Sequence, residues 1–179
     1  MKENDVSSTI TEQFVQSEYD RVLADVCKVI PLNQWKHQPT GLDFTTHKTK
    51  YGVATPAGQV LVNWAFVGTT AVNKLDFTLR HEFAHLAIGL REHHNRRFRR
   101  IEACFGADVT RDLSAEEAQV ISAIDYKYTL IAHLVDGREV DLGGANRRTA
   151  LYMDYPTNGR LNRSFRGVKI ERFEYRTAS

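Results

Sequence analysis

Cysteine is scarce in this chain, with 2 among its 179 residues. Cys27 and Cys104 lie far apart in the sequence, and two thiolates are too few for a structural zinc site with four cysteine ligands. Such a site is therefore excluded. Both residues fall on the apolar faces of predicted helices, so we expect them to be buried core residues.

Long apolar segments are missing as well. No run approaches the roughly 18 apolar residues of a membrane-spanning helix, and the N-terminus, from Met1 to Asp5, lacks the basic start and apolar centre of a secretory signal. The composition, 42% hydrophobic and 26% charged, is typical of a globular chain with one well-buried core. We therefore expect a cytoplasmic or nucleoid-associated protein with no membrane partner.

What the chain does contain is the run His81-Glu82-Phe83-Ala84-His85. Apolar residues recur around it at three-to-four spacing, which predicts an amphipathic helix. Asn73 is the predicted N-cap of this helix. On it, His81 and His85 lie one turn apart on the same face, where they can share one zinc ion. Glu82 can accept a proton from a zinc-bound water, which is the chemistry of a zinc peptidase.

A catalytic zinc site usually has three protein ligands and an open position for water, so a third ligand is expected after this helix. The metzincin pattern requires glycine at 88 and histidine at 91, but the chain has Ile88 and Arg91 there. Three downstream candidates remain. They are Glu102, which would give a gluzincin-like site, and the adjacent histidines His93 and His94.

We prefer His94 as the third ligand. A helix that begins near Asn95 would place His94 at its N-terminal end, with Phe98 packed beneath the imidazole. The alternative for either histidine is a solvent-exposed loop position. The predicted metal ligands are therefore His81, His85 and His94.

The two histidine segments together resemble the SprT-like (Spartan/Wss1) zinc metalloprotease domain. The resemblance is carried by His-Glu-Phe-Ala-His-Leu and, after a short loop, by His94-Asn95-Arg96-Arg97-Phe98, and it covers roughly residues 10 to 110. It implies an α+β, zincin-like fold with one Zn²⁺ per chain and Glu82 as the catalytic residue. It also implies DNA repair by proteolysis of DNA-associated proteins, such as crosslinked adducts. Bacterial members continue into a zinc ribbon, but this chain has no cysteine after Cys104.

The order of predicted elements agrees with this resemblance. Thr9 and Glu12 form a capping box for a first helix that ends before Pro31. Three short strands, the metal helix and two further helices follow, which gives a metalloprotease domain over residues 1–126. Alternating apolar residues and an Asp136-Gly137 turn then predict a β-rich subdomain over residues 127–179. Its predicted strands include residues 150–155 and 168–175.

The C-terminal subdomain carries candidate nucleic-acid contacts. Basic residues there can neutralise phosphates, and the aromatic residues between them can stack on bases. The basic candidates are Arg147, Arg148, Arg160, Arg163, Arg166 and Lys169. The alternative is an ordinary antiparallel sheet with arginines on its solvated face and aromatic residues in its core.

The charge distribution is uneven although the net charge is only +2. From Arg80 to Arg111 there are 7 Lys and Arg against 4 Asp and Glu, and from Lys127 to Ser179 there are 10 against 6. Both excesses suit the approach of an acidic polymer, and a solvated surface explains them equally well.

The sequence thus predicts a zinc endopeptidase that cleaves proteins on or near DNA by Glu82-assisted attack of zinc-bound water. Two alternatives remain open. One is a non-catalytic or regulatory module that binds DNA or protein and retains zinc as a structural element. The other is a peptidase with a dedicated protein target and no role at DNA. Four residues are candidates for stabilising the oxyanion, and the sequence does not choose among them: Arg80, Arg91, Tyr126 and Tyr128.

Overall fold

The computed structural model describes residues 9–107, 109–155 and 163–177. The chain divides into two compact units, Met1–Ile124 and Asp125–Ser179, so the boundary lies two residues before the predicted one. Both units combine helices with a small sheet, and the prediction of an α+β protein is confirmed. Among the described residues, no helix is both long and apolar enough to cross a membrane.

In its described residues, the first unit contains four α-helices and a three-stranded sheet. The helices are α1 (Glu12–Val29), α2 (Val72–Ile88), α3 (Arg96–Cys104) and α4 (Ser114–Ser122). The strands are β1 (Gly41–Thr45), β2 (Gly52–Ala54) and β3 (Gln59–Asn63). In the sheet, β3 lies between a parallel β1 and an antiparallel β2, so β2 forms one edge.

Two predicted helix caps are wrong. The N-cap of α1 is Thr11, whose hydroxyl accepts a hydrogen bond from the Phe14 amide at 3.1 Å, and not Thr9. Helix α2 begins at Val72, one residue before Asn73, and its cap residue provides no side-chain hydrogen bond. Instead the carboxylate of Glu116, on α4, accepts hydrogen bonds from the Lys74 amide and the Asn73 side chain. A carboxylate from another helix therefore satisfies the α2 N-terminus, a contact that local sequence does not encode.

Helix α2 forms the centre of the first core. Leu75, Leu79, Phe83 and Leu86 are completely buried, as their spacing predicts. They belong to a cluster that also includes residues of α1, β3 and α3. The cysteine prediction is wrong, because Cys104 is exposed and Cys27 is only half-buried. Cys104 lies on the solvent side of α3, whose inward positions are filled by Phe98 and Glu102.

The second unit is a four-stranded antiparallel sheet in the order β5-β4-β7-β6. Its elements are β4 (Tyr128–Leu134), β5 (Glu139–Ala145), a short α5 (Ala150–Met153), β6 (Ser164–Phe165) and β7 (Val168–Thr177). The hairpin at Asp136-Gly137 is confirmed. The strand predicted at residues 150–155 is wrong, because Ala150, Leu151 and Met153 are strong helix formers and adopt a helical turn.

Candidate metal centre

Three histidines meet where the C-terminal half of α2 faces the start of α3. His81 and His85 lie on α2, and His94 comes from the segment just before α3. The Nε2 atom of His94 lies 3.2 Å from that of His81 and 3.3 Å from that of His85. The structure thus brings together all three predicted ligands.

These distances suit a tetrahedral zinc ion. With Zn–N bonds of about 2.0–2.1 Å, two nitrogen ligands at the tetrahedral angle lie about 3.3 Å apart. Among the described residues, no fourth histidine, cysteine, aspartate or glutamate joins the group. The donor set therefore fits a site with three protein ligands and one open position, rather than a closed structural site.

Phe98 supports the three rings from below. Its side chain is completely buried, and its ring centroid lies 4.9 Å from that of His81, 4.3 Å from His85 and 5.0 Å from His94. Asn95 fixes the start of α3 by accepting a hydrogen bond from the Phe98 amide at 3.0 Å. The predicted helix start and the position of Phe98 beneath His94 are confirmed.

Glu102 does not lie at the position of a metal ligand, because it is not one of the residues whose ligand atoms converge. It is 4% exposed, and its Oε1 lies 2.6 Å from Nδ1 of His81. A carboxylate at this distance accepts the Nδ1 proton, so the Nε2 atom of His81 presents its lone pair to the other two histidines. The gluzincin-like alternative, with Glu102 as third ligand, is therefore not the arrangement in the structure.

Two of the histidines, His81 and His85, are held in the neutral form that binds metal. Burial lowers the pKa of His81, although the hydrogen bond to Glu102 acts in the opposite direction. Burial and the neighbouring histidines lower the pKa of His85 to about 4. At neutral pH these imidazoles therefore need lose no proton before they coordinate a cation.

Glu82 lies in the same cleft as the three histidines. It is 6% exposed, and its Oε2 accepts a hydrogen bond of 2.7 Å from the Ala54 amide on β2. Burial raises the pKa of Glu82 to about 7, while the Ala54 amide and the charge of Lys50 act to lower it. The edge strand thus fixes the orientation of the carboxylate.

Gly52, also on β2, makes this approach possible. A Cβ atom at this position would lie 2.8 Å from Cγ2 of Thr78 and 2.9 Å from Cγ of Glu82. Cβ atoms in real proteins do not approach other atoms this closely, so any side chain at position 52 would displace the strand or the glutamate. No local pattern in the sequence marks this glycine, because its role depends on the contact between β2 and α2.

The cleft has a volume of about 440 Å³ and is partly apolar. Away from the histidines it is lined by residues of β2, α2 and the short helical turn after α2, including Tyr51, Val53, Lys74, Phe77 and Leu90. Lys74 was not predicted and is almost completely buried. Its amine lies 4.2 Å from the centre of the Tyr51 ring and is paired with Glu117, so the cleft contains a neutralised cation.

Arg80 is already engaged and is a poor candidate for the oxyanion role. Its guanidinium pairs with Asp76 at 2.8 Å and donates to the Phe105 carbonyl at 2.6 Å. Arg91 is exposed in the turn after α2. The structure therefore points to neither arginine as the stabilising group.

The predicted nucleic-acid contacts lie in the second unit, except for Arg160, which is outside the described residues. Arg147, Arg148, Arg166 and Lys169 are exposed. Arg163 is half-buried, and its guanidinium lies 5.8 Å from the centre of the Tyr152 ring.

The aromatic residues between these basic residues pack largely on one another. Tyr152 and Tyr155 both contact Phe173, with ring centroids 4.8 and 5.0 Å apart. Tyr175 contacts Tyr128 in the same way. This packing favours the alternative of an ordinary sheet with an aromatic core over a base-stacking surface.

A second group, His133, Glu139 and Glu174, has ligand atoms close enough to share an ion. Arg176 pairs with both carboxylates, at 2.8 Å from Glu139 and 3.1 Å from Glu174. These contacts, and the hydrogen bond from His133 to Glu174, lower the pKa of Glu174 to about 2. The group is therefore an ion-pair network on the sheet.

Comparison with protein-family models, curated proteins and solved structures finds no match to this chain. The assignment of the site therefore depends on the geometry of its own residues.

Removal of the third ligand gives the first test. We expect His94→Ala to lose the metal, because two imidazoles remain, whereas His93→Gly retains about one zinc per chain. Glycine suits position 93, where φ is 46°. Elemental analysis of both purified variants beside the unmodified protein measures this, and equal zinc in the two variants would contradict the assignment.

Glu102→Gln tests the hydrogen bond to His81. An amide accepts this proton more weakly and no longer offers a negative charge, so zinc affinity is expected to fall by about 10- to 100-fold. Competition with a chelator measures the affinity. Glu92→Gln is the matched control, since Glu92 contacts Asn95 and Arg97 but none of the three ligands. Equal affinities in the two variants would show that Glu102 has no such role.

Gly52→Ala tests the contact between β2 and Glu82. The added methyl group displaces the glutamate from the Ala54 amide, so the free energy of unfolding is expected to fall by about 1–3 kcal/mol while the three histidines still bind zinc. Thermal melting and zinc content are measured on the same preparation. Unchanged stability with bound zinc would mean that the position of Glu82 does not depend on Gly52.

Proposed function

We propose that this chain is a zinc-dependent metalloendopeptidase of the SprT-like type that cleaves proteins on or near DNA. The observation that carries the proposal is the convergence of three histidine Nε2 atoms in an open cleft that also contains Glu82. A structural zinc site has four protein ligands and requires no carboxylate between its histidines. Three ligands with an adjacent buried glutamate instead suit catalysis.

The surrounding elements are consistent with a zincin-like arrangement. The helix that carries the motif lies against a small sheet, and the third ligand precedes the next helix. The edge strand β2 lies beside Glu82. This order matches what the resemblance to the SprT-like family implies for residues 10 to 110.

In this proposal His81, His85 and His94 hold the zinc ion, which when bound lowers the pKa of a water ligand to about 7 and polarises a carbonyl group. Glu82 accepts one proton from the attacking water and then transfers it to the nitrogen of the leaving amine. The Ala54 amide, at 2.7 Å from Oε2, keeps the carboxylate in place for both transfers.

The edge of β2 suits an extended peptide. Tyr51 and Thr55 form backbone hydrogen bonds with β3, at 2.8 and 2.9 Å, so the alternating residues Gly52 and Ala54 direct their backbone groups away from the sheet. The Ala54 amide is already bound to Glu82, so a substrate segment that adds to this edge as a further strand pairs with the Gly52 backbone groups and the Ala54 carbonyl, with its side chains alternating toward the cleft and toward solvent. Such binding depends on hydrogen bonds to the main chain of the substrate, so it accepts many substrate sequences.

Glu82→Gln separates catalysis from metal binding. The amide cannot accept the proton, so hydrolysis of an unfolded protein substrate is expected to fall by about 10²- to 10⁴-fold. Zinc content should stay the same, because Glu82 is not one of the ligands. The control is Glu92→Gln, which makes the same chemical change outside the cleft.

A chelator should abolish the activity, and added zinc should restore it. Hydrolysis by the Glu82→Gln variant at the unmodified rate would contradict the proposed mechanism. Zinc binding with no hydrolysis by the unmodified protein, with or without DNA, would instead favour the non-catalytic alternative.

A further inference from the structure

Helix α3 has one buried and one strongly basic face. Its inward positions, Phe98 and Glu102 above all, are buried. The outward positions carry four exposed arginines within five residues: Arg96, Arg97, Arg99 and Arg100. This helix begins two residues after His94, so its basic face belongs to the same compact unit as the metal centre.

These charges oppose the stability of the helix. Arg96 and Arg97 lie in the first turn, where the helix dipole favours negative charge, and that turn contains no acidic residue. Arg96 also lies three and four residues before Arg99 and Arg100, a spacing at which like charges repel. A helix selected only for stability would not carry this arrangement.

Ion pairs relieve little of this repulsion. Arg97 pairs with Glu92 at 3.0 Å, but within the described part of the chain Arg96, Arg99 and Arg100 have no acidic partner. Two arginines elsewhere in the unit are paired with carboxylates: Arg21, on α1, with Glu18, Asp25 and Asp76, and Arg80, on α2, with Asp76. On α3, by contrast, three arginines within five residues are left available to an external partner.

We propose that Arg96, Arg99 and Arg100 bind the phosphate groups of a nucleic acid beside the metal centre. The inference rests on the DNA component of the proposed function and places that contact on α3 rather than on the C-terminal sheet. Arg96, Arg99 and Arg100 lie within roughly 6 Å of one another along the helix axis, so they present a compact basic face to a polyanion.

The chemistry of this face favours a nucleic acid over a membrane or an acidic protein. All four basic residues are arginines, whose planar guanidinium donates two parallel hydrogen bonds to a phosphate. The larger apolar residues of α3 are turned into the core, so the exposed face has little to insert into a lipid bilayer. The carboxylates of an acidic protein are spaced less regularly than the phosphates of a nucleic acid.

The C-terminal sheet is less suited than α3 to bind the phosphates of a nucleic acid. Its arginines Arg172 and Arg176 are paired with Glu174, and its aromatic residues pack together rather than facing solvent as a group. The sheet nevertheless supplies a matched control, because Arg147, Arg148 and Lys169 are exposed and carry the same total charge as the three α3 arginines.

The test compares two triple variants of the full chain for binding to fluorescently labelled single-stranded and duplex DNA. One is Arg96→Gln/Arg99→Gln/Arg100→Gln, and the other is Arg147→Gln/Arg148→Gln/Lys169→Gln. Anisotropy is measured over a series of salt concentrations. We expect the α3 variant to lose at least about tenfold in affinity and its salt slope to fall by about 2 to 3, while the sheet variant changes little.

Zinc content and melting temperature are measured on the same samples. The α3 variant is expected to keep its zinc and to melt at or above the temperature of the unmodified protein, because the substitutions remove repulsion. A clear loss of stability or zinc would show that the arginines are structural and would overturn the proposal.

Other outcomes also overturn it. Loss of binding in the sheet variant alone, or an equal loss in both variants, would mean that α3 is not the main contact. Competition by polyglutamate as strong as that by unlabelled DNA of equal charge would point to an acidic protein. No DNA binding by the unmodified protein at low salt would remove the DNA component of the proposed function, while the peptidase assay with Glu82→Gln would still decide the chemistry.

Discussion

The packing of three imidazoles around Phe98 is the arrangement on which the rest of the site depends. The Nε2 atoms of His81 and His85 lie within 3.3 Å of the Nε2 atom of His94. Three ring nitrogens can lie this close together in a folded protein when a cation or a shared hydrogen bond occupies the space between them. Burial keeps His81 and His85 uncharged, so the cluster does not repel itself at neutral pH. Phe98 fixes the distances because its ring contacts all three imidazoles from the core side.

Helix α3 links this arrangement to several other properties of the molecule. It supplies Phe98 beneath the rings and Glu102 behind His81, and its cap residue follows the third histidine directly. The same helix carries the arginines of the outer face. The nine residues of α3 therefore supply the ring beneath the imidazoles, the hydrogen bond to His81 and a basic outer face. A shift of α3 would alter all of these together.

The edge strand β2 has a comparable role on the other side of the cleft. Gly52 lets the strand approach α2, and Ala54 then donates its amide to the Glu82 carboxylate. A buried carboxylate without such a donor would be costly, so this hydrogen bond is also a contribution to stability.

Local patterns in the sequence were sufficient for most elements of the first unit. The apolar spacing of Leu75, Leu79, Phe83 and Leu86 predicted α2. The turn residues between short extended segments predicted strands at 42–46, 51–54 and 59–63, and β1, β2 and β3 lie within one residue of these bounds. Caps were less predictable, because Thr11 competes with Thr9 and the α2 N-terminus is satisfied by Glu116 from a distant helix. In the second unit, residues 150–153 formed a helical turn where a strand was expected.

The residues of the candidate site also fall into two groups, those that the sequence indicated and those that only the structure identified. The sequence by itself determined that His81, Glu82 and His85 share a helix, since the helical repeat places residues one and four apart in fixed directions. It also indicated His94, through the position of Phe98. Only the tertiary structure decided that Glu102 supports His81, that Gly52 and Ala54 position Glu82, and that Lys74 lies in the cleft. These contacts join residues 20 or more positions apart, or different elements, and they depend on packing that no local pattern records.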